Sequence, residues 1–510
     1  MNFKANGVSC TSILKATAVT LIILLSCAFI LCAYEINEGH VKETTAQVPR
    51  IIAIEDENGS TVLLSVDNSL RVDLGESGIV SDIMLSSNGD RAFYIVRNTE
   101  GSFLCTRTLS ALINDRYVIG EGAVSYLLSK TNRRAVYLTE EGSLFYAKDG
   151  AFSVKVSDKV GQYYFSDDGG TLIYSAKSES GIQCIYSYNG KASALLYENA
   201  DIVKASEDLS YLLLSSGSSL IRFDVKSSSY SILSDSFEDL EAIIGDAVYF
   251  SFTNEDGASS LFCFDGQQTL VTDKLHSVEL ASDTVIVYSE QTDGEYEKIY
   301  KVITSRKERS EAVLSGSELH GFIYSAKASA LYYNDASGEQ EMLIKATVAD
   351  GKITKFSVVD TDTQHVCGIV SGKIVYLKNF NPISNTADLY CNSERIRSEV
   401  ALNEISSLPD YNPSVRTYTW VHRGIVTTGY ACLEIPGADA LAYTADGKIY
   451  TFDGKYERVI GVGELKNILP ISSDTVAIRA DGALTVSVGG KIKDKKITVK
   501  RFISVSAYSK

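Results

Sequence analysis

The sequence predicts an all-β chain, a β-propeller of four-stranded blades, preceded by a single N-terminal transmembrane helix. Three observations predict it: a repeat with a period near 40 residues, strands closed by Asp-Gly or Asn-Gly turns, and one long uncharged run close to the N-terminus. At 510 residues the chain is too long for one ordinary domain unless a repeat carries it.

The repeat comes first. LSSNGDRAFY (85–94), LSKTNRRAVY (128–137) and FSDDGGTLIY (165–174) each place a large apolar residue, then Ser, a polar turn, and an apolar strand ending in Tyr. ASEDLSYLLL (205–214), ASDTVIVY (281–288) and YSAKASALYY (324–333) are weaker copies. The serines fall at 86, 129, 166, 206, 282 and 325. Their spacings are 43, 37, 40, 76 and 43, so the 76 holds two periods, with IIGDAVYF (243–250) in the gap.

A second element follows each copy: LFYAKDG (144–150), CIYSYNG (184–190), LFCFDG (261–266) and KIYTFDG (448–454). These alternate as strands do and end on dipeptides that supply the positive φ of a tight turn. Twelve Asp-Gly or Asn-Gly pairs occur from residue 51 onward, and no segment of ten residues there has a helical period. A period of 40 built from hairpins is one four-stranded blade, which must stack on neighbours to cover both faces.

About 460 residues follow position 50, enough for about eleven such units. Single propellers typically have four to eight blades. Residues 51–510 are therefore expected to form two propellers with a boundary in 285–330, or one large ring. Residues 51–75 look like the later strands of a blade, and RFISVSAY (501–508) like a first strand, so the two ends are expected to complete one blade.

The motif apolar-Ser-x-Asp-Gly-x-x-x-x-Tyr, fullest in FSDDGGTLIY, resembles the WD-like repeat of TolB-type bacterial β-propellers. Asp167 stands where that family usually has Pro. The resemblance is clear over 85–333 and implies a fold, not a function.

Residues 16–34 (ATAVTLIILLSCAFILCAY) carry no charge and are long enough to span a bilayer as a helix. Lys4 and Lys15 precede them, and Glu35, Glu38, Lys42 and Glu43 follow. The positive-inside bias puts residues 1–15 in the cytoplasm, 35–50 as a polar stalk, and the remainder outside the cell membrane. Two alternatives stand beside the anchor: a signal cleaved after Ala28, and a lipoprotein attached through Cys27 in Leu24-Leu25-Ser26-Cys27. Six cysteines follow the leader (Cys105, Cys184, Cys263, Cys367, Cys391 and Cys432) without C-x-x-C spacing. They are expected to be buried free thiols rather than disulfides or metal ligands, with Cys105, Cys263 and Cys391, each after a short apolar pair, in equivalent strands.

Lys+Arg 48 against Asp+Glu 64 gives a net charge of −16, which argues against a nucleic-acid partner. No G-x-S-x-G, H-E-x-x-H, P-loop or G-x-G-x-x-G motif is present, and the five histidines are scattered. No cofactor, metal site or catalytic group is expected, and the chain is read as a non-enzyme. Carboxylates sit in turns, where Asp satisfies backbone N–H groups. The basic run 491–501 reads as a final hairpin with a lysine face, or as a patch drawn to anionic lipid or wall polymer.

The segment 379–436 departs most from the repeat, with four of the six prolines and the only tryptophan. Tyr411, Tyr418, Trp420, His422 and Arg423 are the candidate binding residues. In a strand, Tyr418, Trp420 and His422 would share one face, and Tyr, Trp and Arg dominate interaction hot spots. The competing reading makes these aromatics the filling of a blade junction. The functional expectation is an anchored extracytoplasmic interaction or scaffold module whose partner is an envelope or secreted protein. The alternative is small-ligand, carbohydrate or wall binding, or hydrolysis, at a propeller channel.

Overall fold

The serine of each repeat closes a turn. Ser86 Oγ accepts the backbone N–H of Arg91 at 2.9 Å, Ser166 Oγ that of Thr171 at 2.9 Å, and Ser206 Oγ that of Tyr211 at 3.0 Å. Ser282 and Ser325 do the same for Val285 and Ala328. Each serine therefore joins the end of a unit's first strand to the start of its second. The tyrosine at the end of the motif then falls in the middle of the second strand. Tyr94, Tyr137, Tyr174, Tyr288 and Tyr333 are all buried there. Many of the thirty tyrosines thus fill the core, and their number is no measure of contact surface.

The computed structural model describes residues 50–510 except 68, 75–77, 111–114, 149–152, 256, 293–297, 305–310, 315, 350–351, 410, 412, 414, 423–424, 436–438, 473–474, 481, 490 and 508–510. The expected cytoplasmic segment, transmembrane helix and stalk lie outside the described residues. Among the described residues no helix is long and apolar enough to cross a membrane. The only helical elements there are two 3-10 turns, Ile405–Ser407 and Leu465–Asn467.

Among the described residues the strands group into eleven antiparallel units of four in chain order; the second carries a fifth strand, Val505–Ala507, parallel to Ile79–Leu85, and the ninth and tenth join through Val400↔Ala445. Unit 1 combines both ends of the region. Arg501–Ile503 pairs with Ile51–Glu55, followed by Thr61–Ser65 and Arg71–Asp73, in the register Ala53↔Ile503, Ile54↔Phe502 and Glu55↔Arg501. Units 2 to 5 occupy 79–121, 123–157, 160–198 and 201–234. Units 6 and 7 (239–275 and 275–313) share the long strand Gln268–Ala281, whose two halves pair with different partners. Units 8 and 9 occupy 319–361 and 365–401, and units 10 and 11 occupy 432–462 and 468–498. Cys105, Cys184, Cys263 and Cys391 all lie in third strands, and all six cysteines described are buried free thiols.

Each consecutive pair of units shares one apolar cluster, and there are eleven such clusters. One of them, built from Val285, Val302, Leu319, Phe322, Tyr333 and Ala346, lies across 285–330, where a boundary between two propellers was expected. Another joins Ala477, Leu484 and Val486 of unit 11 to Ile52, Ile54 and Phe502 of unit 1. Among the described residues these clusters link the units in a closed succession, and Pro49–Lys510 is one compact unit. Each fully buried side chain of this kind contributes about 1.5–3 kcal/mol, so the faces between units carry the stability.

The closure also absorbs much of the basic run 491–501. Lys491–Thr498 is the fourth strand of unit 11. Lys495 is buried and donates to the carbonyl oxygens of Ser65 and Val66. Glu55 receives Lys500 Nζ at 2.6 Å and Arg501 Nε at 2.5 Å.

Candidate functional site

The described residues of 403–430 form no unit of the repeat. The stretch 379–401, expected to be irregular, belongs to the strands Lys373–Asn381, Thr386–Cys391 and Glu394–Ala401 of unit 9. The insertion lies between unit 9 and the first strand of unit 10, Cys432–Glu434. It forms its own small sheet from Asn403–Glu404, Ile425–Tyr430 and Tyr418–His422, with Trp420 opposite Thr427 and Tyr418 opposite Gly429.

The aromatic residues of this segment are core. Trp420 is 5% exposed and packs with Cys367, Val370, Leu389, Cys432 and Tyr443 between units 9 and 10. Tyr418 lies against it, ring centroids 4.9 Å apart, and stacks on His365 at 4.6 Å. Tyr411 sits elsewhere, against the cluster that closes units 11 and 1. His422 ends the strand Tyr418–His422, and Arg423 lies outside the described residues. Tyr418 and Trp420 are thus brought together, Trp420 inside a blade junction and Tyr418 half-buried beside it.

Gly429 permits this packing. A Cβ there would lie 2.5 Å from Trp420 Cη2 and 2.0 Å from the Asn403 carbonyl oxygen, inside any tolerable contact. The Trp420 Nε1, Tyr418 hydroxyl and Tyr411 hydroxyl are buried without hydrogen-bond partners among the described residues. Burial pushes both phenols above their ordinary range.

What the insertion builds is a cavity of about 330 Å³, lined by His320, Asn334, Gln364, His365, Arg416 and Tyr418 among others. His320 lies on the first strand of unit 8, Leu319–Ser325, and Asn334 on the second, Ala330–Asp335. His365 begins the first strand of unit 9, His365–Val370. Residues 416–419 of the insertion complete the wall.

Arg416 dominates its electrostatics. Its only side-chain hydrogen bond among the described residues runs from Nη2 to the Phe322 carbonyl oxygen at 3.5 Å, and it has no ion pair there. Other arginines of the same region are matched: Arg397 with Glu457, Arg458 with Asp453, Arg395 with Asp388. Burial lowers the Arg416 pKa from its usual value, with Glu434 opposing. It stays charged at neutral pH, because the guanidinium starts so high. His365 is pushed down to about 4, first by burial and then by the Arg416 charge. It is neutral at pH 7, and its Nε2 lies 3.3 Å from the Arg416 carbonyl oxygen, which can only accept, so Nε2 carries the hydrogen. His320 Nε2 lies 3.2 Å from Glu341 Oε1, which also accepts from Asn334 at 2.7 Å.

Sequence reasoning missed this arrangement. His320 and His365 stand 45 residues apart, about one period, which places both at the start of first strands in neighbouring units. That signal was present. Nothing local marks Arg416 as the residue that turns toward them. A second cleft of about 410 Å³ lies between units 2 and 3, with Arg91, Arg133, Arg134, Asp115 and Tyr117 in its wall. There Arg91 lies 3.8 Å from Asp115 and over the Tyr117 ring. Among the described residues no group of three His, Cys, Asp or Glu is placed to hold a metal ion.

No family model and no curated protein matches the chain. Several solved structures are similar to it, each at low identity. TolB from Acinetobacter baumannii is 12% identical, over 42% of this chain and 60% of that one, with a TM-score of 0.24. The β-propeller domain of the Trilobed protease from Pyrococcus furiosus is 11% identical, over 63% and 97%, with a TM-score of 0.26. The tricorn protease is 10% identical, over 90% and 63%, with a TM-score of 0.21. This chain thus spans less than two thirds of the TolB chain's length.

Proposed function

We propose that the protein is a membrane-anchored extracytoplasmic β-propeller that acts as a protein-interaction or scaffold module without catalysis, its partner another envelope or secreted protein. The observation that carries this reading is the tip of the insertion's hairpin. Ile425 and Val426 are 68% and 70% exposed, side by side, on a segment whose base is fixed by buried Trp420. An exposed apolar pair beside a buried anchor is a device for contact, because the apolar area it keeps in water is recovered on docking. Anchoring rests on the uncharged run 16–34 and its flanking charges. The net charge of −16 disfavours nucleic acid.

The test is proximity crosslinking of the full chain in its native cells, alongside the Ile425→Ser, Val426→Ser double variant. Loss of a defined envelope protein from the captured set supports the reading. Unchanged capture by the variant overturns the role of the hairpin tip, and absence of any specific capture overturns the interaction reading itself. Protease accessibility of the C-terminal region in intact and permeabilised cells tests the orientation.

A further inference from the structure

We propose that the cavity between units 8 and 9 is a binding site for a small molecule bearing one carboxylate, with Arg416 as the group that holds it. This does not depend on the interaction reading above, since the hairpin tip and the cavity are separate features of the insertion. Arg416 is half-buried, carries a full charge, and spends one of its five N–H donors on a single long bond. A partly desolvated cation without a counter-ion is costly, and a ligand carboxylate in bidentate contact with its planar fork removes that cost. The described lining holds no carboxylate, and Glu341, behind it, is already engaged by Asn334 and His320. Glu434 acts on Arg416 only at a distance, with no ion pair between them.

The rest of the lining sets the class. His365 is neutral at pH 7 and adds no charge. One guanidinium matches one negative charge, whereas a phosphate near −1.5 to −2 wants a second cation, and Arg416 is the one Arg or Lys of the described lining. Gln364 Oε1 accepts the Phe380 N–H at 2.8 Å, which leaves its amide nitrogen to donate. The Tyr418 ring, stacked on His365, offers a flat apolar wall beside the cation. A volume of about 330 Å³ lies at the lower end of small-ligand sites.

The protein supplies its own reporter. Its single tryptophan, Trp420, touches Tyr418, which lines the cavity. The full chain in detergent is titrated with benzoate, with its neutral isostere benzamide, and with inorganic phosphate, at constant ionic strength, following Trp420 emission. The expected result is a saturable change with benzoate below about 10 mM and none with benzamide or phosphate. Arg416→Gln should abolish it, and Arg416→Lys, which keeps the charge without the fork, should weaken it about tenfold. The proposal is overturned if benzamide acts like benzoate, if phosphate is preferred, if benzoate gives no saturable change, or if the Arg416→Gln protein responds like the parent. Circular dichroism of both variants separates loss of the site from loss of the fold, and the Arg416→Lys arm decides if Arg416→Gln fails to fold.

Discussion

Phe502→Ala should open the ring at its seam. Phe502 is 4% exposed, stands opposite Ile54, and packs in the cluster shared by units 11 and 1. Truncating a buried phenylalanine costs about 3–5 kcal/mol, from lost transfer energy and the cavity left behind. A ring of eleven units does not unfold as one two-state step, so a global midpoint is a poor readout. Local opening is the better one. In hydrogen exchange, a loss of 3–5 kcal/mol at about 1.4 kcal/mol per tenfold should accelerate the amides of Ile51–Glu55 by roughly two to nearly four orders of magnitude. Units 4 and 5 (160–234), remote from the seam in chain order, should exchange as in the parent. If Ile51–Glu55 keeps its protection while the substitution is in place, the termini do not close the ring and the reasoning fails.

Three further outcomes follow from the packing and the charges. Gly429→Ala forces a Cβ into Trp420 and the Asn403 carbonyl, and should cost about 1–3 kcal/mol with a red-shifted Trp420 emission; an unshifted spectrum contradicts the close approach. Ser166→Ala removes the acceptor of the Thr171 N–H and the donor to Asp168 Oδ1, and should lower local stability in unit 4 by about 1–3 kcal/mol, read as faster exchange at 165–174. His365 has a pKa near 4 in the fold against an ordinary 6.5, so between those values the unfolded chain binds more protons. Its contribution is complete above pH 6.5 and is lost as pH falls toward 4, with an upper bound of about 3 kcal/mol. His365→Asn should therefore narrow the stability difference between pH 7 and pH 4.5, and an unchanged difference would contradict the assignment.

The blades were legible because their signals are local. A serine, a turn and a buried tyrosine recur every 40 residues, since each unit solves the same turn and the same core position. The closure was legible in part for a similar reason: Arg501–Ile503 completes the blade of 51–75, whereas Val505–Ala507, expected to continue the same strand, adds in parallel to Ile79–Leu85. The single cyclic succession of eleven clusters was not, because a typical blade number is a prior about other rings and not a property of these residues. At the insertion, alternation correctly put Tyr418 and Trp420 together in one strand, but period 2 cannot say which face is inside. Trp420 went inward because Gly429 leaves room for it, and Ile425 and Val426 took the exposed tip instead. The cavity at Arg416 was invisible because its wall joins residues 320, 365 and 416 from three separate elements, and only the ring's curvature assembles them.

The arrangement as a whole is tested most directly by cryo-electron microscopy of the full chain in a lipid nanodisc. The account predicts a single closed ring with eleven radial four-stranded sheets, its seam where Arg501–Ile503 meets Ile51–Glu55, and residues 403–430 projecting between the ninth and tenth. Two separate smaller rings, or a ring open at that seam, would contradict it.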